Sequence, residues 1–194
     1  MIQILSFGQR RQINGPRLRT LAPAEVERHA SWLELFFDLV FVLAVAQVAR
    51  ILIDQSDLVG FVKYVVLFIP VWYAWVGYTF YSDRFETEET AYRILMFAAM
   101  LAVTGLALTL GSAFTPGGDA AFIVCFALVR LILAALYSRA AYHVPLARPY
   151  CLQFVVGLVA SALLLIGSLF VQPPARYAIW AAAILVDSQS HSST

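Results

Sequence analysis

Five apolar runs divide this chain, at residues 32–53, 58–81, 91–114, 120–142 and 150–171, with only short polar turns between them. Each is long enough for a helix to cross the hydrocarbon core of a bilayer, which takes about 20 residues. Their apolar residues do not alternate with polar ones, so they do not read as membrane barrel strands. In lipid every backbone N–H and C=O must find a partner within the protein, and a helix achieves this inside one segment. The expected fold is all-α, a polytopic transmembrane helix bundle of five full spans plus a partial sixth at residues 177–186. As a helix that last run reaches roughly 15 Å, half the hydrocarbon thickness.

Composition agrees. Of 194 residues, 61% are hydrophobic and 13% charged, against about 45–50% and about 25% in a soluble domain. A net charge of +1 offers no broad basic field, so no nucleic-acid partner is expected. Cys125 and Cys151 lie inside apolar runs without metal-ligand or redox spacing, and read as small buried hydrophobes. The chain has no Walker motif, dinucleotide-type glycine pattern, HExxH or nucleophile elbow, and no potassium-filter sequence. It is therefore not expected to be an enzyme, and no metal or cofactor is expected. The expected partners are the lipid bilayer, a small ion or solute, and further copies of the chain.

Residues 1–30 are polar and carry Arg10, Arg11, Arg17, Arg19 and Arg28. Gly15, Pro16 and Pro23 discourage regular structure, so a basic cytoplasmic tail is expected, with a short interfacial helix at 24–29. Ala44-Val45-Ala46 mimics a signal-peptide cleavage site. The leader is too long for such a peptide and Asp38 interrupts its apolar stretch, so residues 32–50 read as a retained span. With the N-terminus inside, Arg84, Arg93, Arg139 and Arg148 join the tail arginines on the cytoplasmic side, leaving Arg50, Lys63 and Arg176 outside. That asymmetry favours N-in.

Within the spans, Pro70 is expected to kink the second helix. Ala98, Ala102, Gly105 and Thr109 recur at helical spacing in the third, and Gly157 and Ser161 do so in the fifth, which permits close helix contact. Residues 82–90 read as a charged loop, and 115–119 and 143–149 as turns. The final DSQSHSST reads as a polar, structureless tail. A half-span beside a polar stub looks like a truncated or frame-shifted end, so a complete protein is expected to continue.

Glu34 and Asp38 stand at i and i+4 and share a helix face. Ser31 and Glu34 make an S-x-x-E capping pattern, which accounts for Glu34 at a helix start. Asp38 lies roughly 6 Å deeper. Arg130 falls near the middle of the fourth run, where a charge costs at least about 2.5 kcal/mol on insertion scales. An Asp38–Arg130 pair with Glu34 nearby is expected, either lining a polar path or acting as a structural bridge that fixes helix register. Asp83, Arg84, Glu86, Arg93 and Arg139 gather at the cytoplasmic ends, as a vestibule or as ordinary solvated loops.

The block at residues 27–42, ERHASWLELFFDLVFV, closely resembles the opening of the bacterial low temperature requirement protein A family. A second block, residues 75–88, WVGYTFYSDRFETE, resembles that family's next signature, with Asp83 and Glu86 where the family commonly has Asn and Asp. The Arg130, Tyr137 and Arg139 pattern also fits. The resemblance covers about residues 25–186. It implies a bacterial inner-membrane protein, typically about twice this length. The family is named for a cold-growth phenotype, and the resemblance implies no catalytic residues. A shorter likeness, Phe36-Phe37-Asp38-Leu39-Val40-Phe41, is similar to the Phe-Ser-Asp signature of a family of lysosomal and bacterial potassium channels, without its serine.

The leading expectation is transport or permeation of a small ion or solute past Asp38 and Arg130. The alternative is a non-transporting structural or regulatory membrane protein that acts through lipid or partner contacts in cold adaptation. A third is a membrane enzyme acting on lipid. The first requires a wet path past Asp38, the second a dry core with a large apolar lateral face, and the third a lipid-accessible cleft with convergent titratable groups.

Overall fold

A computed structural model describes residues 32–86, 90–115, 117–172 and 175–192, together with a two-residue strand at Arg17–Leu18. Six helices make up the described chain: α1 (Trp32–Asp54), α2 (Leu58–Arg84), α3 (Thr90–Thr109), α4 (Gly118–His143), α5 (Arg148–Gly167) and α6 (Ala175–Ser192). Single 3-10 turns at Leu110–Ser112 and Ser168–Phe170 lengthen α3 and α5. β1 (Arg17–Leu18) pairs antiparallel with β2 (Phe85–Glu86), Leu18 opposite Phe85. Five segments, each built on one of α1 to α5, are long and apolar enough to cross a membrane; the apolar part of α6, Ala175–Val186, is shorter.

α4 is the axis of the bundle. It packs on α5, α3 and α2, while α1 lies against α2 and α3, and α6 against α5. The small residues act as expected. Gly157 and Ser161 are buried on α5. A Cβ on Gly105 of α3 would stand 3.1 Å from Cys125 Sγ of α4, and one on Gly77 of α2 only 2.7 Å from Leu133 Cδ2. Hydroxyls inside the spans turn back onto their own helices: Thr79 donates to Trp75 O, Thr104 to Met100 O and Ser138 to Ala134 O. Such bonds satisfy a polar group without a partner helix.

The turns follow from local chemistry. Asp57 caps α2 by accepting from Gly60 N at 2.7 Å, and Ser56 Oγ donates to Leu52 O at the end of α1. The tight α1–α2 hairpin leaves no room for a side chain at Gly60, where a Cβ would fall 1.7 Å from Gln55 O. Gly117 opens α4 with φ of +85°, a conformation that glycine adopts without strain.

Two expectations need correction. The region expected as a loop from residue 82 is helical through Arg84. The polar end expected to be structureless is helical from Asp187 to Ser192. In both, hydropathy marks where lipid ends, whereas a helix continues for as long as its backbone bonds hold. α2 continues through the buried Pro70 as one helix. The helix expected at residues 24–29 and the Ser31 side of the capping pattern lie outside the described residues.

Candidate functional site

Asp38 projects from the outer side of α1 and is exposed at the lateral surface of the bundle. Its Oδ1 accepts a hydrogen bond of 3.0 Å from Trp75 Nε1 of α2. The bond joins residues 37 positions apart and fixes the carboxylate at the α1–α2 seam. Glu34, one turn earlier, is half-buried. The neighbours of Asp38 on the outer face are apolar: Phe36, Leu39 and Val42 are exposed at 58%, 62% and 63%.

Trp75 ends a run of aromatic rings along α2. Phe61, Tyr64, Phe68, Trp72 and Trp75 follow one another with centroids 5.3 to 6.5 Å apart. Helical spacing of three and four residues places them on one stripe. The stripe leads from the start of α2 to the Asp38 carboxylate.

Arg130 is 1% exposed in the middle of α4. Its guanidinium lies over the Phe126 ring, 4.7 Å from the centroid. The sequence led us to expect Arg130 beside Asp38; the structure buries Arg130 within the bundle and exposes Asp38 at its surface. Depth along the membrane normal brought the two together on paper. Rotation about each helix separates them, because Asp38 faces outward from α1 and Arg130 faces the interior. Around Arg130, α2 and α4 are clamped by two tyrosines in opposite directions. Tyr78 Oη donates to Val129 O at 2.9 Å, and Tyr137 Oη donates to Gly77 O at 3.2 Å.

The residues expected as a cytoplasmic cluster come from three helix ends. Asp83 and Arg84 close α2 and are exposed, Arg93 is exposed on the first turns of α3, and Arg139 is half-buried near the end of α4. The Arg84 guanidinium stacks over Tyr150 at 4.4 Å. The side chain of Glu86 lies outside the described residues. Among the described residues no three His, Cys, Asp or Glu side chains group as a metal site.

A second polar centre, at the opposite end of the bundle, escaped the sequence reading. Arg176, at the start of α6, forms an ion pair with Asp119 of α4. Its Nε also donates to Val171 O at 2.9 Å and Ser168 O at 3.1 Å. Trp180 Nε1 donates to Ser168 Oγ at 3.1 Å. One arginine thus ties the start of α4, the end of α5 and the start of α6 together. The available signal was a basic residue following a helix end, where free carbonyls accept cations. For Trp75, Tyr78 and Tyr137 the signal was chemical: a buried indole N–H or phenol O–H requires an acceptor.

The chain is 32% identical over 165 residues to an uncharacterised protein of Rhizobium meliloti (strain 1021), an alignment covering 81% of this chain and 39% of that relative. The chain thus spans about two fifths of the length of the curated relative it matches. No solved structure matches it. Residues 29–191 match the family model described as bacterial low temperature requirement A protein. That match takes in the first block from residue 29 on, the whole of the second, α1 to α5, α6 as far as residue 191, and the Asp38–Trp75 seam. This multi-pass membrane protein therefore belongs to the bacterial low temperature requirement A protein family.

Proposed function

We propose that the protein passes a small cation across the bacterial cytoplasmic membrane along the α1–α2 face, with a second copy of the chain supplying the facing wall. The observation that carries this reading is the Asp38 carboxylate, exposed within a span and oriented by the Trp75 indole. A carboxylate facing hydrocarbon costs about 2.5–3.5 kcal/mol on insertion scales, so such groups face protein or a wet cavity. Its charge selects a cation. The ring faces of Phe61, Tyr64, Phe68 and Trp72 add weak attraction for one along the approach. The distribution of arginines supports an inside N-terminus. Arg130 has no place on this face, and in this reading it belongs to the packing of α4.

The test is potassium and proton flux in liposomes carrying folded protein. Asp38→Asn removes the charge and keeps an oxygen that can accept from Trp75. Flux that falls to the level of empty liposomes in Asp38→Asn, with melting unchanged, supports the reading. Flux indistinguishable between wild type and Asp38→Asn, or absent from folded wild type, overturns it. The broad apolar face formed by Trp32, Phe36, Leu39 and Val42 on α1 and Trp72 on α2 favours a second reading, a non-transporting component that works through lipid or partner contacts. Absence of flux from a folded wild-type assembly would favour that alternative.

A further inference from the structure

At the end of the bundle opposite the start of α1, α2 and α6 meet only lightly. Between them lies a cleft of about 410 Å³, half open to the side, lined by Val62, Val66, Phe114, Trp180, Ala181 and Ile184. The size falls within the range of ligand pockets, about 300–1,000 Å³. A narrow crevice continues from it toward Pro70, Phe126 and Leu165. The lining is almost wholly apolar, with one charged side chain, Lys63.

Lys63 lies five residues inside α2, about 7.5 Å from its start. Its Nζ donates to Gln55 Oε1 at 2.8 Å and lies 5.9 Å from the centroid of the Phe114 ring. An ammonium has three N–H donors, and Gln55 is a neutral partner. Among the described residues Lys63 forms no ion pair, whereas the nearby Arg176 is neutralised by Asp119. The mouth of an apolar groove thus carries an ammonium group with no ion-pair partner among the described residues.

We propose that the α2–α6 groove binds an anionic phospholipid, with an acyl chain between Val66 and Ala181 and the headgroup phosphate on Lys63. The site is independent of the α1–α2 face. Three observations choose this occupant. An apolar lining offers nothing to a peptide backbone, which needs hydrogen-bond partners. One turn of helix with its side chains, about 10–12 Å wide and 5.4 Å long, fills about 420–610 Å³, more than the whole groove. The lysine at the rim matches an anionic headgroup, its apolar stem lying along the groove wall.

The experiment counts lipids retained by the purified full chain in native mass spectrometry, after mixing with dioleoyl phosphatidylglycerol or dioleoyl phosphatidylcholine. Wild type is expected to keep the anionic lipid severalfold more than the zwitterionic one. Lys63→Gln should remove the preference, and Ala181→Trp, at an exposed position on the groove wall, should cut retention of both. Val66→Trp fills the same space from α2 and serves if α6 tolerates no change. Equal retention of the two lipids by wild type overturns the proposal. So does a preference that survives Lys63→Gln, or retention that survives both tryptophans. If the tryptophans instead dissociate a dimer and leave lipid retention intact, the groove seats a second copy and the lipid site is wrong.

Discussion

Asp38 sits where water cannot be relied on to solvate it, and Trp75 supplies one of the donors that water would have given. A hydrogen bond to a charged group contributes about 1.5–3 kcal/mol when buried, and less for a carboxylate at the surface of the bundle. Trp75→Phe keeps most of the ring and removes the donor. We expect it to lower stability in the wild-type background and to do so much less beside Asp38→Ala, which removes the acceptor. The double-mutant cycle should return a coupling of about 1 kcal/mol. Thermal melting or denaturant titration in bicelles measures it, and a coupling near zero would mean that the indole does not anchor the carboxylate. The sequence made Asp38 legible, because a carboxylate inside an apolar run stands out. It did not reveal the partner. Trp75 is 37 residues away, and only the docking of α2 on α1 shows which of its aromatic residues reaches the seam. Arg130 was equally visible, but its burial in the interior of the bundle was not, since spacing along the chain gives depth in the membrane and no rotation.

The helices themselves were mostly written in hydropathy. Starts and ends of α1, α4 and α5 fall within a few residues of the apolar runs, because lipid enforces both length and internal hydrogen bonding. What hydropathy could not show is how the helices are tied. The reciprocal Tyr78–Val129 and Tyr137–Gly77 bonds depend on α2 approaching α4 closely at Gly77, where Leu133 leaves little room for a side chain. The tie at α6 depends on Arg176. With its charge gone, Asp119 stays largely buried beside free carbonyls, and breaking such a pair costs up to about 3–5 kcal/mol. We expect Arg176→Met to loosen α6 selectively: amide exchange should quicken from Ala175 to Val186 and hold steady in α3 and α4. Uniform quickening across the bundle would show that the ion pair supports the whole fold instead. α6 depends on this tie more than its neighbours do on theirs, because its apolar length is too short to hold it by burial in lipid alone.

At the scale of the whole molecule, an apolar lateral surface is no anomaly in a membrane, since lipid solvates Leu39 and Val42 as well as another helix would. The carboxylate among them is what calls for protein opposite. Two copies inserted with the same orientation can meet only about an axis along the membrane normal, which brings identical residues face to face. If α1 lines that axis, Leu39 of one copy lies near Leu39 of the other. Leu39→Cys, oxidised in native membranes, should then give a covalent dimer, since a disulfide needs Cα atoms within about 7 Å. Leu101→Cys and Leu163→Cys, at least as exposed on α3 and α5, should not. The native Cys125 and Cys151 are half-buried and buried, and compete poorly for oxidation. Two Asp38 carboxylates brought toward one axis repel each other unless a cation stands between them, by about 1 kcal/mol at 4 Å even in water and more in a low dielectric. The Leu39→Cys cross-link should therefore form more readily with Asp38→Asn in the same chain. Cross-linking that appears on α3 or α5 and not on α1 would move the interface elsewhere. Asp38 would then face lipid directly, and permeation along the α1–α2 face would lose its second wall.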